Sequence, residues 1–362
     1  MTHRFFAVMA VSVVSLSACA PAADEAEPVE ELANLAGDVP LVMPGESHFR
    51  NVRQLTVGGD NAEAYWAFDG SMLIYQANKP DAGCDQIYLL DPRTAASTRV
   101  SNGEGRTTCS YFYPSGDQIL YSSTHHHDPN CPPEPDFSMG YVWPIYPTYD
   151  IFVADVDGSN LRQLTTEDGY DAEATFSPQG DRIVFTSMRD GDLDLYSMAP
   201  DGSDVVRLTD RPGYDGGAFY SPDGSMIVWR ADYPEAGPEL DDYQALLGEG
   251  LIRPGELEIM VMDADGSNQR QVTNIGGANF APFFHPSGEK LIFSSNHQDP
   301  SGRDFELFMV NLDGTGLEQI TYSEGFDGFP VFSPDGRYLV FGSNRNNGGT
   351  SDTNVFIAEW VN

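Results

Sequence analysis

From about residue 50 onward the chain alternates between short apolar and aromatic runs and tight polar punctuation, and the alternation recurs. Runs such as AEATFS, DRIVFTS, DLDLYSMA and DVVRLT show the period-two patterning of half-buried strands, densest in the second and third. Between them stand S-P-x-G and D-G-S, tight turns with glycine where a positive φ is needed. The glycine of the S-P-x-G-type turn is a convenient marker; it falls at Gly70, Gly116, Gly180, Gly224, Gly288 and Gly336. Four residues earlier stands an aromatic in all six copies: Trp66, Phe112, Phe176, Tyr220, Phe284 and Phe332. Three residues later there is always Ile or Leu, and five later a second aromatic, from Tyr75 in the first copy to Phe341 in the last. Four short antiparallel strands per copy make one blade of a propeller. A lone blade leaves its faces in water, whereas a ring of blades packs each sheet on the next. The fold class is therefore all-β, a six-bladed β-propeller.

The ends of the repeat region support a closed ring. Arg53-Gln54-Leu55-Thr56 repeats the outer-strand string Arg162-Gln163-Leu164-Thr165, and Asn354 to Val361 reads as a third strand with no fourth after it. The N-terminal run thus completes the last blade. Length alone would allow about two domains, but the repeats make residues 49–362 one. The strings FSPDGRYLVFGSNR and DIFVADVDGSNLRQLT resemble the TolB-type β-propeller repeat, over about residues 50 to 362. That resemblance is specific for fold and weak for function, because such propellers serve many roles. TolB itself carries an additional N-terminal α/β domain, for which the preceding segment is too short. A place in a Tol–Pal-like envelope system is accordingly not carried over with the fold.

Strand direction alternates, so the S-P-x-G and D-G-S turns share one face and the loops between second and third strands share the other. Those loops are short in four blades, but 29 positions separate Tyr121 from Asp150 and Trp229 from Glu258. Two insertions, 122–149 and 230–257, therefore rise from one face, where repeat scaffolds commonly carry binding function. The first insertion is proline-stiffened and aromatic; Phe137, Tyr141, Trp143 and Tyr146 form the expected partner-binding loop. The second carries Leu240, Tyr243, Leu246 and Leu247 at helical spacing, predicting a short helix that either packs structurally or lies over the rim.

Nine positions before each marker, at the start of the innermost strand, stand Asn61, Thr107, Asp171, Asp215, Asn279 and Asp327. As a channel-rim ring of oxygens they would hold calcium or another divalent cation, or a basic peptide tail. Glu63 and Glu173 extend the ring if strand alternation keeps them facing the axis. The same residues could instead close Asx turns on their own backbone. His125, His127 and Asp128 form a candidate metal site, with Cys131 or His297 as further ligands, provided that three or four groups converge.

The chain's 55 acidic and 19 basic residues leave a formal charge of −36, which repels phosphate backbones and excludes nucleic acid as a partner. Residues 1–18 have a short basic head and an apolar run of about twelve residues, right for export and too short to span a bilayer. The run ends in Leu16-Ser17-Ala18-Cys19, which resembles a bacterial lipobox and implies lipidation at Cys19. Ala20, not Asp, follows; the resemblance to enterobacterial sorting signals implies the outer membrane, facing the periplasm. Residues 19–48, rich in Ala, Glu and Pro, read as a flexible acidic tether. Cys84, Cys109 and Cys131 then allow one disulfide and leave one thiol, without saying which.

No G-x-S-x-G, H-E-x-x-H or P-loop occurs. Two readings follow. One is a lipid-anchored binding module, monomeric, engaging an envelope protein or peptide at the insertion-bearing face and touching the membrane through its anchor alone. The alternative is a metal-dependent polysaccharide lyase of the oligogalacturonate-lyase type, whose family joins a similar propeller to a His-held metal. The His run favours the second; the chain's own negative charge disfavours an acidic substrate unless Arg230, Arg253 and the histidines form a basic patch.

Overall fold

The computed structural model describes residues 32–79 and 82–362. The lipobox reading and Cys19 lie outside the described residues. Six four-stranded antiparallel sheets form a ring, a six-bladed β-propeller. Innermost strands are Asp60–Trp66, Thr107–Phe112, Asp171–Phe176, Tyr214–Tyr220, Asn279–Phe284 and Asp327–Phe332. The last blade is completed by Phe49–Gln54, which pairs with Asn354–Trp360 in the register Arg53↔Ile357 and Gln54↔Phe356. The ends of the repeat region thus share one sheet, closing the ring with backbone hydrogen bonds.

The repeated apolar positions form the packing between blades. Leu73, Ile119, Ile183, Ile227, Leu291 and Leu339 are wholly buried, as are the second aromatics Tyr75, Tyr121, Phe185, Trp229, Phe293 and Phe341. Each buried side chain of this size contributes roughly 1.5–3 kcal/mol. The marker glycines all have φ near +73°, between +71° and +76°, which a Cβ would strain.

A second repeat is polar. In each blade an outer-strand Ser or Thr (Thr56, Ser101, Thr165, Thr209, Thr273, Thr321) accepts a backbone N–H from the third strand at 2.8–3.0 Å. The same hydroxyl donates to Asn354, Gln86, Asp150, Asp194, Glu258 or Glu306 respectively. A buried polar group is tolerated only when bonded, so this staple explains the oxygen-bearing residue at each third-strand start.

The tether reading needs correction over its described part: residues 32–48 belong to the same compact unit as the propeller. Asn34 bonds the backbone of Gln54, Leu41 is buried, and Glu46 is fully buried in an ion pair with Arg345 at 2.9 Å. Composition read these residues as unstructured because their anchors are isolated side chains rather than a periodic run. Among the described residues no helix is long and apolar enough to cross a membrane.

Candidate functional site

The two insertions meet. Trp143–Pro144 of the first pairs antiparallel with Leu251–Ile252 of the second, making a two-stranded roof. The predicted helix is Pro238–Gly248; Tyr243, Leu246 and Leu247 are buried, and the Tyr243 hydroxyl donates to Asp192 at 2.6 Å. It is a packed structural helix. A disulfide between Cys84 and Cys131 ties the first insertion to the neighbouring blade, leaving Cys109 as the free thiol among the described residues.

Under this roof lies a funnel of about 460 Å³, lined by residues that include Asp60, Glu63, Asp85, Arg106, Glu173 and Arg230 among many aromatics. Its floor is a layer set by a backbone irregularity. In every innermost strand the register slips by one residue. The residue seven before the marker there has positive φ: Glu63, Cys109, Glu173, Gly217, Ala281 and Phe329, between +50° and +61°. This is a β-bulge, two residues opposing one, and it turns that side chain toward the axis. All six line the space at the channel centre.

The bulge also overturns the proposed rim. Alternation across a regular strand would place Asn61 and Glu63 on one side. The bulge separates them, so none of the six residues nine before the marker lines the funnel or the channel centre. They bond within and between blades instead. Asn61 donates to the Thr353 carbonyl at 3.1 Å, Thr107 to that of Asp85 at 3.0 Å, and Asn279 to that of Leu257 at 2.9 Å. Asp171 pairs with Arg189 at 3.1 Å, Asp327 with Arg345 at 2.8 Å, and Asp215 accepts from Trp229 Nε1 at 2.6 Å. Glu63 and Glu173, the expected extension, are the acids that reach the axis.

Glu173 is paired with Arg230, accepts the Thr186 hydroxyl at 2.8 Å and takes the Gly217 N–H at 3.0 Å. Arg230 Nε donates to the Tyr214 hydroxyl at 3.1 Å, and its guanidinium stacks 5.2 Å from the Trp143 ring centre. The adjacent Gly216 and Gly217 make room for this: a Cβ on Gly216 would strike Glu173 and Tyr214, and one on Gly217 would strike Arg230. Glu63 accepts from the Tyr65 hydroxyl at 3.2 Å. Burial first, then the charge of Glu173, push its carboxyl up to about 7. Burial likewise raises the Cys109 thiol. Below the floor, Tyr65, Tyr111, Phe219 and Phe283 pack ring on ring at 5.3–6.3 Å. The channel is plugged there, and the funnel is blind.

The first-insertion aromatics divide. Phe137 is 53% exposed on the rim, and Tyr141, 60% exposed, also lines the funnel mouth. Trp143 and Tyr146 line the funnel; Trp143 donates from Nε1 to the Tyr141 hydroxyl at 3.1 Å, and Tyr146 donates to the Pro133 carbonyl at 2.7 Å.

The histidine site does not assemble. His125 bonds Ser123 at 2.7 Å and packs on Phe152; His127 faces Asp150 at 3.7 Å; Asp128 accepts from Asn130. Cys131 is consumed in the disulfide, and His297 bonds Ser295. Among the described residues no three His, Cys, Asp or Glu side chains gather to hold a metal. Adjacency in an irregular loop sends successive rings in different directions. Arg253 pairs with Asp242 on the roof rather than joining the histidines.

Comparison with known proteins agrees with this architecture. A TolB beta propeller domain model matches residues 147–236 and 252–355, together more than half of the chain. A structure described as TolB from Agrobacterium tumefaciens is similar at 20% identity and a TM-score of 0.55, over 84% of this chain and 91% of that one. TolB from Acinetobacter baumannii is similar at 17% identity and a TM-score of 0.54, over 84% of this chain and 64% of that one. A gluconolactonase from Xanthomonas campestris shares the fold at 12% identity and a TM-score of 0.57, over 91% and 94%. With six blades, a bulged inner layer and a family model spanning most of its last four blades, the chain belongs to the TolB β-propeller domain family.

Proposed function

We propose that the protein is an envelope binding propeller, held at the outer membrane through lipidated Cys19, which docks a peptide segment of another envelope protein in the funnel. The observation that carries this reading is the blind, aromatic-walled funnel of about 460 Å³ beneath the paired insertions. Its size falls within the roughly 300–1,000 Å³ typical of specific ligand sites. Rigid aromatics at the rim and wall supply contact area at low entropic cost. Binding is favoured over turnover because both arginines lining the funnel are already engaged: Arg230 with Glu173, and Arg106 with Asp85 at 3.5 Å.

The test is a photo-crosslinking residue placed at the exposed rim position Tyr141, compared with one at Asp201 in a D-G-S turn of the other face. Peptide adducts in intact cells are expected from position 141 alone. Equal yields from both positions, or adducts from 201 alone, would overturn the proposal.

A further inference from the structure

Resting on that docking reading, we propose that the segment entering the funnel presents a lysine or arginine side chain, which passes between the aromatic walls and ends against Glu63.

Two independent features converge on this. The first is charge. The funnel lining holds Asp60, Glu63, Asp85 and Glu173 against Arg106 and Arg230. Both bases are already committed, Arg230 to Glu173 and Arg106 to Asp85 and Glu134. Glu63 therefore has no cation bonded to it among the described residues, its hydrogen bonds coming from the Tyr65 hydroxyl and the Cys109 thiol. A carboxylate at the end of a poorly hydrated cleft is costly unless a counter-charge arrives. A net charge of −36 adds a long-range field that draws cations toward such a cleft.

The second feature is the wall. Cations bind well over aromatic faces, and this funnel already displays that chemistry: the Arg230 guanidinium lies 5.2 Å from the Trp143 ring and 5.7 Å from the Tyr214 ring. Tyr149, Tyr170, Phe280 and Phe326 line the remainder. A bare divalent ion suits the site poorly, since among the described residues no three His, Cys, Asp or Glu side chains gather to hold one. An ammonium or guanidinium on a flexible apolar stem uses both the wall and the acid.

Proton linkage gives the proposal a signature. The groups facing Glu63 are Glu173, Arg230, Cys109 and Tyr65, and its carboxyl sits at about 7. It must be ionised to receive the cation, so affinity should climb roughly tenfold from pH 6 to pH 8.

The experiment selects a phage-displayed library of random heptapeptides against the folded protein and sorts the binders by a funnel-filling variant, Ala62→Trp. Thermal unfolding checks that each variant folds, and Glu63→Asp stands in should Glu63→Gln fail. Binders lost on Ala62→Trp should be enriched in Lys or Arg, weaken at least tenfold on Glu63→Gln, and tighten from pH 6 to pH 8. Funnel-dependent binders that are neutral or acidic, or indifferent to Glu63→Gln, would overturn the cationic inference while leaving the docking reading standing. Binders indifferent to Ala62→Trp, or no binders at all, would overturn both.

Discussion

Replacing Arg345 by Met should destabilise the protein by about 3–5 kcal/mol, the usual cost of stranding a buried charge. Arg345 and its partners Glu46 and Asp327 have no exposed side-chain surface. Its guanidinium donates to Glu46 at 2.9 and 3.2 Å, to Asp327 at 2.8 Å, to the Leu41 carbonyl at 2.9 Å and, through Nε, to Ser343 at 3.1 Å. Met fills a similar length, so the loss is mainly electrostatic: two carboxylates and a carbonyl lose their donor together. For a protein of this size about 2 °C accompanies each kcal/mol, so Tm should fall by about 6–10 °C in a circular-dichroism melt. Because Leu41 and Glu46 precede the closing strand, limited proteolysis between residues 32 and 48 should also accelerate. Glu46→Gln should cost less in the Arg345→Met background than alone, with a coupling of about 0.5–3 kcal/mol. A Tm loss under about 2 °C, or no coupling, would refute the reasoning and reduce the triad to the worth of a surface pair.

Two further outcomes follow from the same geometry. Burial holds Asp150 and Asp194 at about 6, Asp215 at about 7 and Glu306 at about 8, so between pH 4 and these values the folded state binds more protons than the unfolded chain. Stability should fall as pH rises from about 5.5 to 8, and a Tm higher at pH 8 would contradict it. His125, His285 and His297, held below their ordinary value by burial, act in the opposite sense below pH 6.5 and moderate the gain. Gly217→Ala should displace Arg230 from Glu173 and cost about 1–3 kcal/mol by overpacking and left-handed strain, read in a urea titration; a silent substitution would mean that the floor is looser than described.

Most of the scaffold was legible because it is periodic. Six copies of an aromatic, an aliphatic and a turn glycine specify blades, and the stray outer-strand string at Arg53 specifies ring closure. The face bearing both insertions followed from strand direction alone. The site was legible only in part, since its geometry depends on a departure from periodicity. One extra residue per inner strand turns Glu63 and Glu173 onto the axis and leaves Asn61 and Asp171 between blades. A signal did exist: Gly217 in the fourth copy stands where the other five copies carry a side chain, directly after Gly216, and no strand wants two glycines unless something large approaches. What approaches is Arg230, which charge pattern alone groups with distant histidines. The oxygens nine before each marker misled for a related reason. Repetition in every blade marks a part the scaffold needs six times over, here the packing of blade on blade. A binding site on a ring of equal units is sought instead where the units differ, and at the bulge they do: two acids, a thiol, a glycine, an alanine and a phenylalanine. That asymmetry gives the funnel floor a charged side and an apolar side, which a symmetric ring of carboxylates could not.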